Sequence, residues 1–170
     1  MIKNLKNYFL PISLILILSF SRLIPHPWNF TPILAAGIFS GFYFKNFILS
    51  FFIVVFSMFL GDLYIGFHDT MFFTYISLAF SVALGLLIKN FRFNEILFSG
   101  LISSSVFFII TNFGAWLTLD MYEKNFNGLL QSYILAIPFF HNTLISTLLY
   151  LFVFKLFFKY SVFTKKIAKL

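Results

Sequence analysis

The stretch SRLIPHPWNFTP, residues 21–32, sets a guanidinium (Arg22), an imidazole (His26), an indole (Trp28) and an amide (Asn29) side by side in a chain poor in polar residues. Further along stand Asp62 in FLGDLYIGFH, then His68 and Asp69, then Thr111, Asn112 and Trp116 around TNFGAW, and His141 with Asn142 in IPFFHNT. These types suit solute binding, because guanidinium grips anions, amides and imidazoles donate and accept, and indoles stack. They are poorly ordered for catalysis. No Ser-His-Asp order, HExxH, Walker loop or paired aspartates occurs, so no enzyme activity is expected. The three histidines lie on different segments with no HxxxH pair, and the chain has no cysteine, so neither a metal nor a cofactor is expected.

The elements that must carry these residues follow from composition. Hydrophobic residues make up 61% of 170 and charged ones 10%, with a mean hydropathy of +0.97, where a soluble domain runs near half apolar and a quarter charged. The chain reads as one all-α integral membrane domain over residues 1–170. Apolar runs place six spans at about 8–24, 31–44, 47–65, 71–88, 96–117 and 136–158. GLLQSYIL, residues 128–135, is too short to span and reads as an interfacial or re-entrant turn. Lys3 and Lys6 before an apolar run also fit a signal peptide, with poor cleavage residues at Ser19 and Ser21; cleavage is not expected.

Charge fixes the expected orientation. With the N-terminus inside, Lys3, Lys6, Lys45, Lys89, Arg92, Lys155, Lys159, Lys165, Lys166 and Lys169 are cytoplasmic, while Arg22 and Lys124 are outside. Both termini are then cytoplasmic. The net charge of +7 sits at span ends and tails, which points to lipid head groups and not to nucleic acid.

On that topology the polar residues collect at the outer side. An ionised or amide side chain in hydrocarbon costs about 2–3 kcal/mol, so Asp62, Asn112, His141 and Asn142 should face inward. Either they satisfy one another, or with Trp28 and Trp116 they line an outward pocket; as a set they favour the pocket. Arg22 is the expected anion contact, with Asp62 as its counter-ion the alternative. In PHPWNFTP the prolines hold His26 and Trp28 on a stiff extended segment, and Thr31 with Pro32 reads as an N-cap and first helical residue. Span two carries Ala36, Gly37, Ser40 and Gly41 one turn apart, for close packing either inside the chain or against a partner helix.

RLIPHPWNFTPILAAGIFSG, GDLYIGFH, TNFGAW and YILAIPFFHNTLISTLLY, covering residues 22–150, resemble in order and spacing an uncharacterised bacterial family of putative membrane transport proteins. That family is similar to the substrate-binding S components of energy-coupling factor (ECF) transporters. The resemblance implies a six-transmembrane-helix, S-component-like bundle in the bacterial cytoplasmic membrane. It implies a vitamin- or cofactor-like solute held near the outer face by Arg22, His26, Trp28, Asn29, Asp62, His68, Asn112, Trp116, His141 and Asn142. It further implies an energy-coupling membrane subunit with ATPases as partner, met by Ala36, Gly37, Ser40 and Gly41. The alternative is a non-transporting scaffold of the kind represented by the rod-shape protein MreD.

Overall fold

The structure is a computed structural model that describes the backbone over residues 2–167 and the side chains over residues 9–159. The side chains of Lys3, Lys6, Lys165, Lys166 and Lys169, and most of the basic tail, lie outside the described residues. The described chain is all helical: α1 (Ile2–Ser21), α2 (Ile33–Phe44), α3 (Phe47–Ile65), α4 (Met71–Leu87), α5 (Phe93–Thr118), α6 (Phe126–Ile134) and α7 (Ile137–Ile167). Three stretches are long and apolar enough to cross a membrane, Phe47–Ile65, Phe93–Thr118 and Ile137–Lys159. Phe9–Ser21, α2 and α4 are apolar but shorter.

Each turn between helices has a local cause. Lys45 ends α2 in the left-handed region at φ 51, and its ammonium caps the far end of α4 by donating to the Leu86 carbonyl at 3.0 Å and to that of Ile88. Asn46 then opens α3, its side chain accepting from Leu49 N at 2.9 Å. Glu95 accepts from the backbone N–H of Lys89, Asn90 and Arg92 and so starts α5. Asn125 opens α6 in the same way through Gly128 N. At α2 the expected cap is displaced by one residue: Pro32 holds the N-cap position, no side chain caps the helix, and Thr31 lies outside it. Proline offers no side-chain acceptor, so the first N–H groups of α2 are left without a side-chain cap.

α2 is the axis of the fold. Ile33 through Phe42 are all buried, as expected of a helix apolar on every side that others surround. It packs on α4 most extensively, and on α3, α5 and α7. Gly37 lies against Ser81 and Gly41 against the Val82 and Leu86 backbone, while Gly85 lies under the Ile38 carbonyl. Four-residue spacing on both helices puts these small residues on facing stripes. Ala36 and Ser40 are also buried inside the chain, so the small residues of α2 present no outward face to a partner.

The outer surfaces of the helices are apolar and their inner surfaces are rich in hydroxyls. Phe52, Phe56 and Phe59 of α3, Ile102 and Ile109 of α5, and Ile145, Leu149 and Val153 of α7 are exposed, while thirteen serines and threonines among the described residues are buried. That inversion suits a hydrocarbon surround, where close packing and hydrogen bonds, rather than exclusion of apolar groups from water, hold helices together.

An alanine at Gly85 or Gly41 drives a methyl into backbone that no rotamer change can clear, and is expected to cost about 1–3 kcal/mol. Gly100→Ala meets only the flexible ends of Leu148 and Leu151. Thermal melts in detergent should therefore rank Gly85→Ala and Gly41→Ala well below Gly100→Ala; equal melting temperatures would remove the close crossing.

Candidate functional site

The C-terminal ends of α1, α3 and α5 and the N-terminal ends of α2, α4 and α7 share one end of the bundle, where nearly all the unusual polar residues lie. They do not meet in one place. Arg22 and Asp62 turn to each other: Nη1 stands 2.7 Å from Oδ1, with the carboxylate fully buried and the guanidinium 14% exposed. The same nitrogen donates to the Met58 carbonyl at 2.7 Å, leaving Oδ1 with the charge contact but no aligned hydrogen bond. Tyr75 donates to Oδ2 at 3.3 Å. The guanidinium lies across Gly61, where a Cβ would displace it. With Ser19 donating to the Ser57 carbonyl at 3.1 Å, this pair pins the end of α1 to α3.

A second group surrounds a cavity of about 40 Å³ between α5, α7 and the α1–α2 loop. Its polar wall is Asn29, Thr111, Asn112 and Thr143, and its apolar wall is Ala136 with the rings of Phe107, Phe108, Phe139 and Phe140. No charged residue lines it. Three of the four polar groups spend a donor on their own helix: Thr111 on Phe107 O, Asn112 Nδ2 on Phe108 O, and Thr143 on Phe139 O. Their oxygens remain as acceptors.

The loop above the cavity is shaped by its sequence. Phe30 N donates to Pro27 O at 2.9 Å, closing a turn in which Asn29 has φ 61, a conformation asparagine tolerates better than most residues. Asn142 donates to the Trp28 carbonyl at 3.0 Å, while Ser146, whose proton goes to Thr143 O at 3.0 Å, has its Oγ 3.5 Å from the Asn29 carbonyl. The loop backbone is thus held to α7 by one side-chain bond, from Asn142.

The remaining candidates stand apart. Trp28 is exposed, as are His26, whose Nδ1 meets the Ile24 carbonyl at 2.5 Å, and His68, whose Nδ1 meets Thr70 Oγ1 at 2.8 Å. Trp116 donates to the Glu123 carbonyl at 3.0 Å and its own carbonyl accepts from Lys124, tying α5 to the loop before α6. His141 is exposed, on a different face of α7 from Thr143 and Ser146. Among the described residues no three of His, Cys, Asp and Glu come together. Sequence reasoning thus named Asn29 and Asn112 but not Thr143 or the four phenylalanines. The missing signal was the spacing of hydroxyls, Thr143, Ser146 and Thr147 on one face of α7.

The arrangement defines a helical protein with helices long and apolar enough to cross a membrane and a small uncharged cavity under a loop at one end. Residues 2–170 match the family of unknown function DUF6580, and the chain belongs to that family. No curated protein and no solved structure matches the chain.

Cutting one member of a buried ion pair strands the other, at about 3–5 kcal/mol, whereas replacing both with apolar residues is far milder. Asp62→Ala should therefore melt well below the wild type in detergent, and Arg22→Met with Asp62→Leu should recover most of the loss. Additive losses in the double variant would show the two charges to be uncoupled.

Proposed function

We propose that the chain is a six-span, multi-pass protein of the bacterial cytoplasmic membrane that captures a small vitamin- or cofactor-like solute at its outer end, in the manner of ECF S components. The cavity beneath the α1–α2 loop carries this reading, because it joins acceptor oxygens from two helices to four aromatic rings under a segment whose side-chain bond to α7 is the one from Asn142. Asn112 and Thr143 are the polar contacts, the phenylalanines the apolar ones, and residues 22–32 the lid bearing Asn29 and Trp28. Arg22 and Asp62 are the hinge pin of that lid and not solute contacts. Both termini face the cytoplasm, on the distribution of basic residues.

At about 40 Å³ the cavity is partly open and has room for a few waters, each needing about 10–15 Å³ of such space. A vitamin-sized cargo needs several hundred Å³. Its entry requires the lid to lift, breaking the bond from Asn142.

The test is thermal stability of the detergent-purified protein against vitamins and their precursors, including cobalamin, riboflavin, thiamine and biotin. A ligand at 100 times its Kd stabilises by roughly 2.7 kcal/mol. The expected outcome is one compound whose shift disappears in Asn112→Ala and Thr143→Val but survives in His68→Ala. A shift indifferent to Asn112 would place binding elsewhere. Silence from folded protein would favour a scaffold of the MreD kind.

A further inference from the structure

Among the described residues thirteen serine and threonine hydroxyls are buried, and ten of them donate to a backbone carbonyl, nearly all three or four residues back on their own helix. That bond is the ordinary way to satisfy a hydroxyl inside a helix bundle. The three without any partner are Ser103, Ser104 and Thr147, at 1%, 0% and 0% exposure. All three belong to the packed pair α5 and α7.

Their level can be read from the contacts on either side. Gly100 faces Leu148 and Leu151, and the cavity joins Phe107, Phe108 and Thr111 to Phe139, Phe140 and Thr143. The helices run antiparallel, so residues 103 and 104 lie level with 146 and 147, one turn below the cavity floor. Three unpartnered buried hydroxyls from two helices therefore lie at one level beneath a polar cavity. Left dry, each would carry a desolvation penalty with no compensating bond.

We infer that Ser103, Ser104 and Thr147 form a hydrated inner subsite of the cavity, which receives the hydrogen-bonding end of an uncharged solute. This rests on the reading of the cavity as a solute site and adds its depth and the class of cargo. The outer wall offers acceptor oxygens, the inner hydroxyls both donate and accept, and neither level contains a charge to balance an ion. The cargo is therefore a neutral molecule with an aromatic or apolar body and O–H or N–H groups at its leading end. In the closed state water stands in for that end.

The chain has no cysteine, so single cysteines report without background. Ser104→Cys and Thr147→Cys, with Ile109→Cys on the outer surface of α5 and Ser50→Cys in the dry core as controls, are treated in membranes with neutral methyl methanethiosulfonate and with its anionic sulfonatoethyl analogue. The thiolate is the reacting form, and it needs water to exist. The expected result is reaction at 104 and 147 faster than at both controls, with the neutral reagent ahead by about tenfold or more, because a charge is expensive at that depth. Reaction no faster than at Ser50→Cys would overturn the hydrated subsite, whatever the vitamin panel shows. Equal rates for the two reagents would overturn the uncharged class. Thr147→Val supplies a readout without labelling: a hydrated hydroxyl predicts an unchanged or lower melting temperature, and a rise would show a dry orphan. A stabilising vitamin that leaves the 104 and 147 rates unchanged would overturn the inner subsite while keeping the outer one. Labelling with a silent panel would remove the solute reading and its subsite together.

Discussion

The close crossing of α2 and α4 is the constraint on which the other contacts depend. Gly37 and Gly41 on one helix meet Ser81 and Gly85 on the other, with backbone against backbone at Ile38 and Val82. Hydrocarbon is as apolar as leucine, so exclusion from solvent does not drive two such helices together; dispersion at short range does, and it needs surfaces without Cβ branches. Because α2 is only twelve residues long and has no polar side, it is surrounded, not laid against a face. Its shortness has two consequences. At one end the chain returns at once through Lys45, whose ammonium closes the end of α4. At the other end the chain must cross from α1 over the mouth of the bundle, and that crossing brings Asn29 to α7.

The helices were legible in the sequence as apolar runs, and α3 runs over residues 47–65 as its run foretells; the caps Asn46 and Glu95 went unread, and α5 starts three residues before the expected 96. GLLQSYIL was legible as too short to span, and it forms part of the nine-residue α6. The inward face of each helix was harder to read. In a soluble helix the most apolar stripe is buried, but in a bundle that is apolar outside as well, hydropathy no longer distinguishes the sides. The buried stripes here are the small and hydroxylated ones: Ser99, Gly100, Ser103 and Ser104 on α5, and Thr143, Ser146 and Thr147 on α7. His141 carries more chemistry than Thr143 yet falls off that stripe, and Thr143 lines the cavity. Periodicity of hydroxyls carried more information about the site than the rarity of histidines.

The polar residues of the mouth were expected to converge, and the way they separate follows from their charges. A carboxylate at zero exposure is tolerable only beside a cation, so Asp62 captures Arg22, and Tyr75 and Met58 complete the shell. Once paired, the carboxylate is fully buried and the guanidinium is turned to it, and neither lines the cavity. Amides and hydroxyls are satisfied more cheaply, by a carbonyl four residues back, and keep acceptor capacity afterwards. Hence the polar groups left free to line a cavity are the neutral ones, and the cavity of this chain is neutral because its ions have been consumed structurally.

The same pair bears on how the mouth can open. Arg22 is the first residue after α1, and the loop that follows carries Pro25 and Pro27, which hold His26 in extended backbone, before the turn at Asn29. A segment fixed at Arg22 and stiffened by two prolines has few soft torsions, so it moves as a unit about its ends. Its side-chain bond to α7 is made by a loop carbonyl, that of Trp28, accepting from Asn142 at 3.0 Å. That carbonyl can exchange to water without a buried group being stranded, because the loop itself is exposed. The loop is thus held firmly by the charge pair at the α1 end and by an exchangeable bond nearer α2.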